Sequence, residues 1–222
     1  MPPCPLCASA TSRFADDASR AYFQCRTCEL VFADPAAHLD PLGERARYDL
    51  HQNDPKDPRY RQFLNRLARP LLTRLERGMR GLDYGCGPGP TVSLMLEEAG
   101  MVMALYDPYY APHPEALTTR YDFITCTEVV EHFYHPASDW SRITALLKPG
   151  GWLGVMTQPT PSRESFLQWR YCQEPTHVSF YCAATFAWIA ARFGLTVERV
   201  RSDVFLLQKR PLPGPDDERA AG

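Results

Sequence analysis

Leu82-Asp83-Tyr84-Gly85-Cys86-Gly87-Pro88-Gly89-Pro90 constrains this chain more than any other stretch. An apolar strand-like run enters a loop with glycine at three alternate positions. Such a loop lets a ligand approach the backbone and permits positive φ in a tight turn. Val92, Leu94, Met95 and Leu96 follow with helical spacing before polar Glu97-Glu98. The loop amides and the helix N-terminus would therefore face a common ligand. A dinucleotide loop of the form G-x-G-x-x-G requires a third small residue at position 90. Pro90 stands there instead, which argues against that reading.

Three further segments follow in order. Met101 to Asp107 reads as a second strand ending in an acid, and Tyr121 to Glu128 as a later one. Leu146-Leu147-Lys148-Pro149-Gly150-Gly151 reads as a turn before a strand over Trp152 to Met156. With the glycine loop, these segments resemble the class I S-adenosylmethionine (SAM)-dependent methyltransferases over roughly residues 60 to 210. The resemblance implies a Rossmann-like α/β fold, doubly wound, with a mostly parallel sheet of the seven-stranded type closed by a C-terminal antiparallel hairpin. It also implies that Asp83, Gly85, Gly87, Gly89 and Thr127 contact the cofactor and that Asp107 holds its ribose. A carboxylate suits a cis-diol because it accepts two hydrogen bonds with the strength of a charged partner.

Cys4-Pro5-Leu6-Cys7 and Cys25-Arg26-Thr27-Cys28 form C-x₂-C-x₁₇-C-x₂-C, the spacing of a zinc ribbon. A piece of about 30 residues is too short to build its own core, so bound metal would supply folding energy. Ala21-Gln24 and Leu30-Phe32 have the content of short strands. Neither knuckle is followed by glycine, since Ala8 and Glu29 occupy those places. Such a closed four-thiolate site would be structural.

The domain plan is therefore a ribbon over 1–33, a linker over 34–58, a methyltransferase domain over 59–210 and a disordered tail over 211–222. Asp57-Pro58 reads as a helix start, with Leu64, Leu67, Leu71 and Leu75 on one face and Pro70 expected to kink or split the helix. A helix over Ala183–Arg192 ends at Gly194, followed by strands over 195–200 and 204–208. The span from Asp107 to Glu128 is short: it offers a proline-rich loop, then a brief strand near Leu117-Thr119. Tyr109 or Tyr110 could there pack on the base.

Candidate reaction-centre residues lie after the later strands. They are Glu128-Val129-Val130-Glu131-His132 and His177 in Glu174-Pro175-Thr176-His177. A helix beginning near Glu128 would place Glu131 and His132 on its face. Glu-x-x-Glu-His is similar to the metal motif of the small-RNA 3′-terminal 2′-O-methyltransferases and the ubiquinone-pathway O-methyltransferases. That likeness implies Mg²⁺, Mn²⁺ or Fe²⁺ held by Glu128, Glu131, His132 and His177. Metal-free general-base chemistry at His132, or a purely structural cluster, are the alternatives. Phe166 to Tyr171 reads as either a substrate wall or core.

The net charge of −2 gives no global pull toward nucleic acid, although residues 56–80 are locally basic. No apolar run nears the ~20 residues of a membrane span, and Met1-Pro2-Pro3-Cys4 does not resemble a signal peptide, so a cytoplasmic location is expected. The expected function is methyl transfer to a small-molecule acceptor, with oxygen as the atom if metal binds. RNA methylation through the ribbon and a non-catalytic SAM-fold module are the rivals.

Overall fold

A computed structural model describes residues 1–50 and 53–211. The expected tail beyond Pro211 lies outside the described residues.

The large sheet has six strands: β4 (Arg80–Tyr84), β5 (Val102–Tyr106), β6 (Tyr121–Thr127), β7 (Leu147–Met156), β9 (Leu195–Arg201) and β10 (Val204–Lys209). Their order is β5-β4-β6-β7-β10-β9. The first four are parallel, and the hairpin β9–β10 adds antiparallel strands beside β7. The Rossmann-like architecture and the closing hairpin thus match the sequence reading. Among the described residues the seventh strand does not form. Between Asp107 and Tyr121 stands a single 3₁₀ turn, Pro114–Leu117, in place of the expected strand. Pro108, Pro112 and Pro114 lack amide donors, and the segment is too short for a helix plus a strand. β5 is therefore an edge strand, and its Val102 is 54% exposed.

One face of this sheet carries α2 (Pro58–Leu72) and α3 (Thr91–Glu98). Leu64, Leu67 and Leu71 of α2 pack with Phe123, Met156 and Leu206. Asp57 caps α2 by accepting from the Arg59 amide, with Pro58 at the first helical position. Pro70 does not split the helix. It falls in the last turn and the helix runs on to Leu72, so Leu75 lies beyond its end. The other face carries α4 (Pro136–Leu146) and α7 (Ala183–Phe193). Trp140, Ile143, Phe186 and Ile189 are buried there against Ile124, Val155 and Phe205. Gly194 ends α7 in the left-handed region at φ 67°. The expected Lys148–Gly151 turn is absorbed into β7, with Gly150 at φ 77° where its register with β6 shifts.

The ribbon is a second sheet: β1 (Thr11–Asp16), β2 (Ala21–Cys25) and β3 (Val31–Ala33). Its last strand, β8 (Ser179–Phe180), comes from the C-terminal part of the chain and pairs with β3. Ala8 and Glu29, which stand where a ribbon favours glycine, both sit at positive φ (60° and 57°). The expected linker holds a helix, α1 (Pro41–Tyr48). Asp40 accepts from the Gly43 amide and Pro41 starts the helix, a signal already present in Asp40-Pro41. Short helices α5 (Arg163–Phe166) and α6 (Arg170–Gln173) precede β8.

Several basic residues of the 56–80 region are drawn into ion pairs. Arg61 meets Glu98, Arg66 meets Asp203 and Arg74 meets Glu198. Among the described residues no helix is long and apolar enough to cross a membrane.

Candidate active site

A cleft of about 940 Å³ opens at the carboxyl ends of β4, β5 and β6. That is the upper end of the range for ligand pockets. It unites the glycine loop, Asp107 to Tyr110, Thr127 to Val129, His132, His177 and the Trp169–Tyr171 segment.

On one side lies the loop after β4. Gly85 and Gly87 take positive φ (81° and 61°), and a Cβ on Gly85 would fall 2.6 Å from the Val129 methyls. A Cβ on Gly89 would collide with the carbonyl oxygen of Asn53. The Gly87 amide donates to Asp107 Oδ2 at 3.0 Å, while the Tyr109 and Tyr110 amides donate to Oδ1 at 2.8 and 3.0 Å. These bonds fix the orientation of the Asp107 carboxylate, and Oδ2, which accepts only one of them, keeps lone-pair capacity. The tyrosine hydroxyls reach the α1 segment: Tyr109 donates to Glu44 and Tyr110 to Asp49, each at 2.6 Å.

Asp83 lines the cleft but is nearly enclosed. It accepts from Ser93 and Thr125, both at 2.9 Å. Burial raises its carboxyl to about 6, against the lowering effect of those two hydroxyls. Asp83 thus ties α3 to the sheet beneath the loop. Thr127 Oγ1 and Glu128 Oε1 are buried without a hydrogen-bond partner among the described residues. Orphaned polar atoms at a cleft fit a bound polar ligand.

On the other side, no helix begins at Glu128. That residue adopts φ 55°, and a 3₁₀ turn spans Val130–His132. The tight turn aims Glu131 inward, where its carboxylate accepts from Thr157 at 2.9 Å. Glu131, His132 and His177 bring one ligand atom each within 4.8 Å of one another. Glu128, expected with them, stands outside that group. His132 Nδ1 lies 3.1 Å from the Thr176 carbonyl and His177 Nδ1 lies 2.7 Å from that of Tyr171. With Nδ1–H donated to a carbonyl, each ring carries its lone pair on Nε2, the usual way a metal-binding imidazole is oriented. Burial pushes the Glu128 and Glu131 carboxyls above their ordinary values, and the neighbouring Glu131 charge adds to the rise at Glu128.

Sequence reasoning missed Tyr48, whose ring meets His132 edge-on at 5.2 Å. It also missed Tyr60 and Phe63 of α2, which line the cleft. Trp169 is part of the wall. Its indole donates to Gln158 at 3.0 Å and it leans on Tyr171 at 4.9 Å.

In the ribbon the cysteines form no disulfide. Cys4 and Cys28 sulfurs are 3.6 Å apart and Cys7 and Cys25 sulfurs 3.3 Å apart. Tetrahedral Zn–S bonds of about 2.3 Å require sulfurs about 3.8 Å apart, so the set fits zinc with little adjustment. The Thr27 and Cys28 amides point at Cys25 Sγ (3.3 and 3.4 Å), as a knuckle demands.

A parallel sheet with a glycine loop and a strand-end acid defines a Rossmann-like ligand-binding protein. Comparison with known proteins narrows this. A family model described as a methyltransferase domain matches residues 30–200, and the chain belongs to that family. The ubiquinone biosynthesis O-methyltransferase of Sodalis glossinidius is 38% identical over 71 residues, covering 32% of this chain and 28% of the relative. That of Leptothrix cholodnii is 31% identical over 104 residues, 36% of this chain and 44% of the relative. The matches therefore span less than half the length of these curated relatives. Among solved structures, the 1,6-didemethyltoxoflavin-N1-methyltransferase of Burkholderia thailandensis superposes with a TM-score of 0.53 at 17% identity. It covers 91% of this chain and 100% of that one, and was solved with 1,6-didemethyltoxoflavin and S-adenosylhomocysteine. The likeness shows the shared fold.

Proposed function

We propose that this chain is a SAM-dependent methyltransferase acting on a small-molecule acceptor through oxygen, with a divalent cation on the acceptor side and structural zinc in the ribbon. The observation that carries the reading is one cleft that joins the glycine loop and Asp107 to His132 and His177, with the buried Glu131 close enough behind them to complete a trio of ligand atoms. Family membership supports the cofactor, and the ubiquinone O-methyltransferase relatives support oxygen.

The cofactor supplies an electrophilic methyl on a sulfonium, which leaves the protein alignment and proton management. Asp107 accepts from the ribose hydroxyls, held in place by the Gly87, Tyr109 and Tyr110 amides. Thr127 Oγ1 offers a polar contact to the cofactor. Glu131 and the Nε2 atoms of His132 and His177 would hold Mg²⁺, Mn²⁺ or Fe²⁺, and such a cation would lower the pKa of an acceptor hydroxyl. Glu128 lines the cleft with a buried Oε1 that has no partner among the described residues, and it would hydrogen-bond the acceptor. Trp169, Tyr171, Tyr60 and Phe63 line the cleft and exclude water.

Calorimetry with S-adenosylhomocysteine and Mn²⁺ titration followed by electron paramagnetic resonance test this. Wild type should bind both ligands, and His177→Ala should keep the first while losing the second by about 10- to 100-fold. Failure to bind S-adenosylhomocysteine removes the methyltransferase reading. Mn²⁺ binding that ignores the His177 substitution removes the metal.

A further inference from the structure

The segment 171–177 carries His177 and makes no regular element beyond the single turn of α6, yet its main-chain carbonyls are almost all spoken for. Tyr171 O takes His177 Nδ1, and Thr176 O takes His132 Nδ1. Four of the remaining five converge on one side chain from the ribbon. Arg20, only 8% exposed, donates from Nη1 to the carbonyls of Glu174, Pro175 and His177 (3.3, 3.3 and 3.2 Å) and from Nη2 to that of Cys172. A guanidinium is suited to this because its five donors lie in a rigid planar fork, which a lysine ammonium cannot imitate. Arg20 is itself fixed. It sits in the turn between β1 and β2, where Asp17 Oδ1 accepts its amide at 2.7 Å, and its guanidinium lies 5.4 Å over the Tyr22 ring.

The same ribbon grips the segment twice more. Tyr22 OH donates to the Cys172 carbonyl at 3.1 Å. The Ala33 amide donates to Val178 O at 2.9 Å, where β3 begins its pairing with β8. On its far side the Val178 amide donates to Glu131 O at 2.9 Å. The histidine loop is thus clasped between the ribbon and the Glu131 turn. The glycine loop and Asp107 hang from β4 and β5 and take no bond from the ribbon among the described residues.

We propose that Arg20 is a positioning residue for the acceptor side of the cleft: by collecting the carbonyls of 171–177 it sets the rings of His177 and His132. Buried carbonyls need partners. Without the fork they turn toward other donors, the loop shifts, the Tyr171 and Thr176 carbonyls leave the two imidazole Nδ1–H groups, and the rings lose their fixed tautomer. The ribbon is then a mould for half of the site, and the cofactor half is independent of it. The importance of that half for turnover rests on the methyltransferase reading; the positioning itself does not.

The test uses the full zinc-loaded chain labelled with ¹⁵N-histidine. Long-range ¹⁵N–¹H correlation reads the His177 tautomer, and calorimetry reads S-adenosylhomocysteine affinity. Wild type should show a single Nδ1–H tautomer. Arg20→Gln should lose it to a mixture, Arg20→Lys should retain it in part, and the affinity should be the same in all three. Tyr22→Phe, which removes one bond to the Cys172 carbonyl, serves if Arg20→Gln does not fold, and should shift the His177 signals in the same direction. An unchanged His177 tautomer in the variant read, or cofactor affinity that falls along with it, overturns the assignment. A wild type that fails to bind S-adenosylhomocysteine would sink the proposed function instead, and the tautomer would still be readable without the cofactor.

Discussion

The two sheets of this protein gain their stability in opposite ways. The six-stranded sheet is covered on both faces, and Trp140, Phe123, Leu153 and Phe205 are 0–1% exposed between sheet and helices. Burial of that kind contributes about 1.5–3 kcal/mol per large side chain, so the sheet stands on its own core. The ribbon has three short strands of its own and borrows β8 as a fourth. Its tip brings four cysteines together, and Cys4, Cys25 and Cys28 are buried with Leu6, Phe23 and Leu30 in a cluster continuous with the core of the large sheet. A small module of this kind is ordered by leaning on its neighbour, and the proposed zinc would add to that support.

The most forceful way to break this contrast is Cys28→Ser. Structural zinc contributes about 10–16 kcal/mol to folding of small zinc modules, and losing one thiolate should remove most of that. Elemental mass spectrometry should show one zinc per wild-type chain and none in the variant. Amide exchange should accelerate through β1 to β3 while β4, β6 and β7 stay protected. Equal acceleration in both sheets would mean that they unfold as one unit.

Asp83→Asn probes the large sheet at a deeply buried acid. The folded carboxyl keeps its proton to about pH 6, whereas the unfolded one releases it near 3.8. The native state binds more protons in that window, so stability falls as pH rises from about 4 to 6. The shift corresponds to roughly 3 kcal/mol. The substitution should flatten this decline, read as the difference between wild-type and variant urea midpoints at each pH. A variant that declines as steeply as wild type shows that Asp83 ionises freely. Asp107→Ala has the smallest effect. It should weaken S-adenosylhomocysteine binding by roughly 1–3 kcal/mol, the scale of a charge-assisted hydrogen bond, and leave ribbon exchange unchanged.

What can be read in advance is what local pattern controls. β4 to β7, the closing hairpin, α7 with Gly194 and the cysteine spacing all announce themselves through periodicity and punctuation. What escapes is long-range. β8 pairs with β3 across about two thirds of the chain, Val31 facing Phe180, and its two residues carry no periodic signal. In sequence Arg20 resembles any surface cation. The glycines are legible as necessary but for an incomplete reason, since Gly85 makes room for Val129 and Gly89 for Asn53. Those demands come from the protein itself as well as from a ligand. The spacing after Glu128 suggests a helix start, but its left-handed backbone leads into a 3₁₀ corner, and Glu128 stays outside the group formed by Glu131, His132 and His177. Pro41, in a stretch that reads as a linker, starts a helix.

Ala8 and Glu29 hold the left-handed backbone that each cysteine knuckle needs, without being glycine. Each side chain there costs about 1–2 kcal/mol of crowding against its own carbonyl. That tension vanishes when the tip comes apart, so it works against the sulfurs' grip on any ion they hold. The tip would consequently be a softer trap than its spacing alone advertises, giving up a bound ion to a competing chelator sooner than the same loop relaxed by glycine.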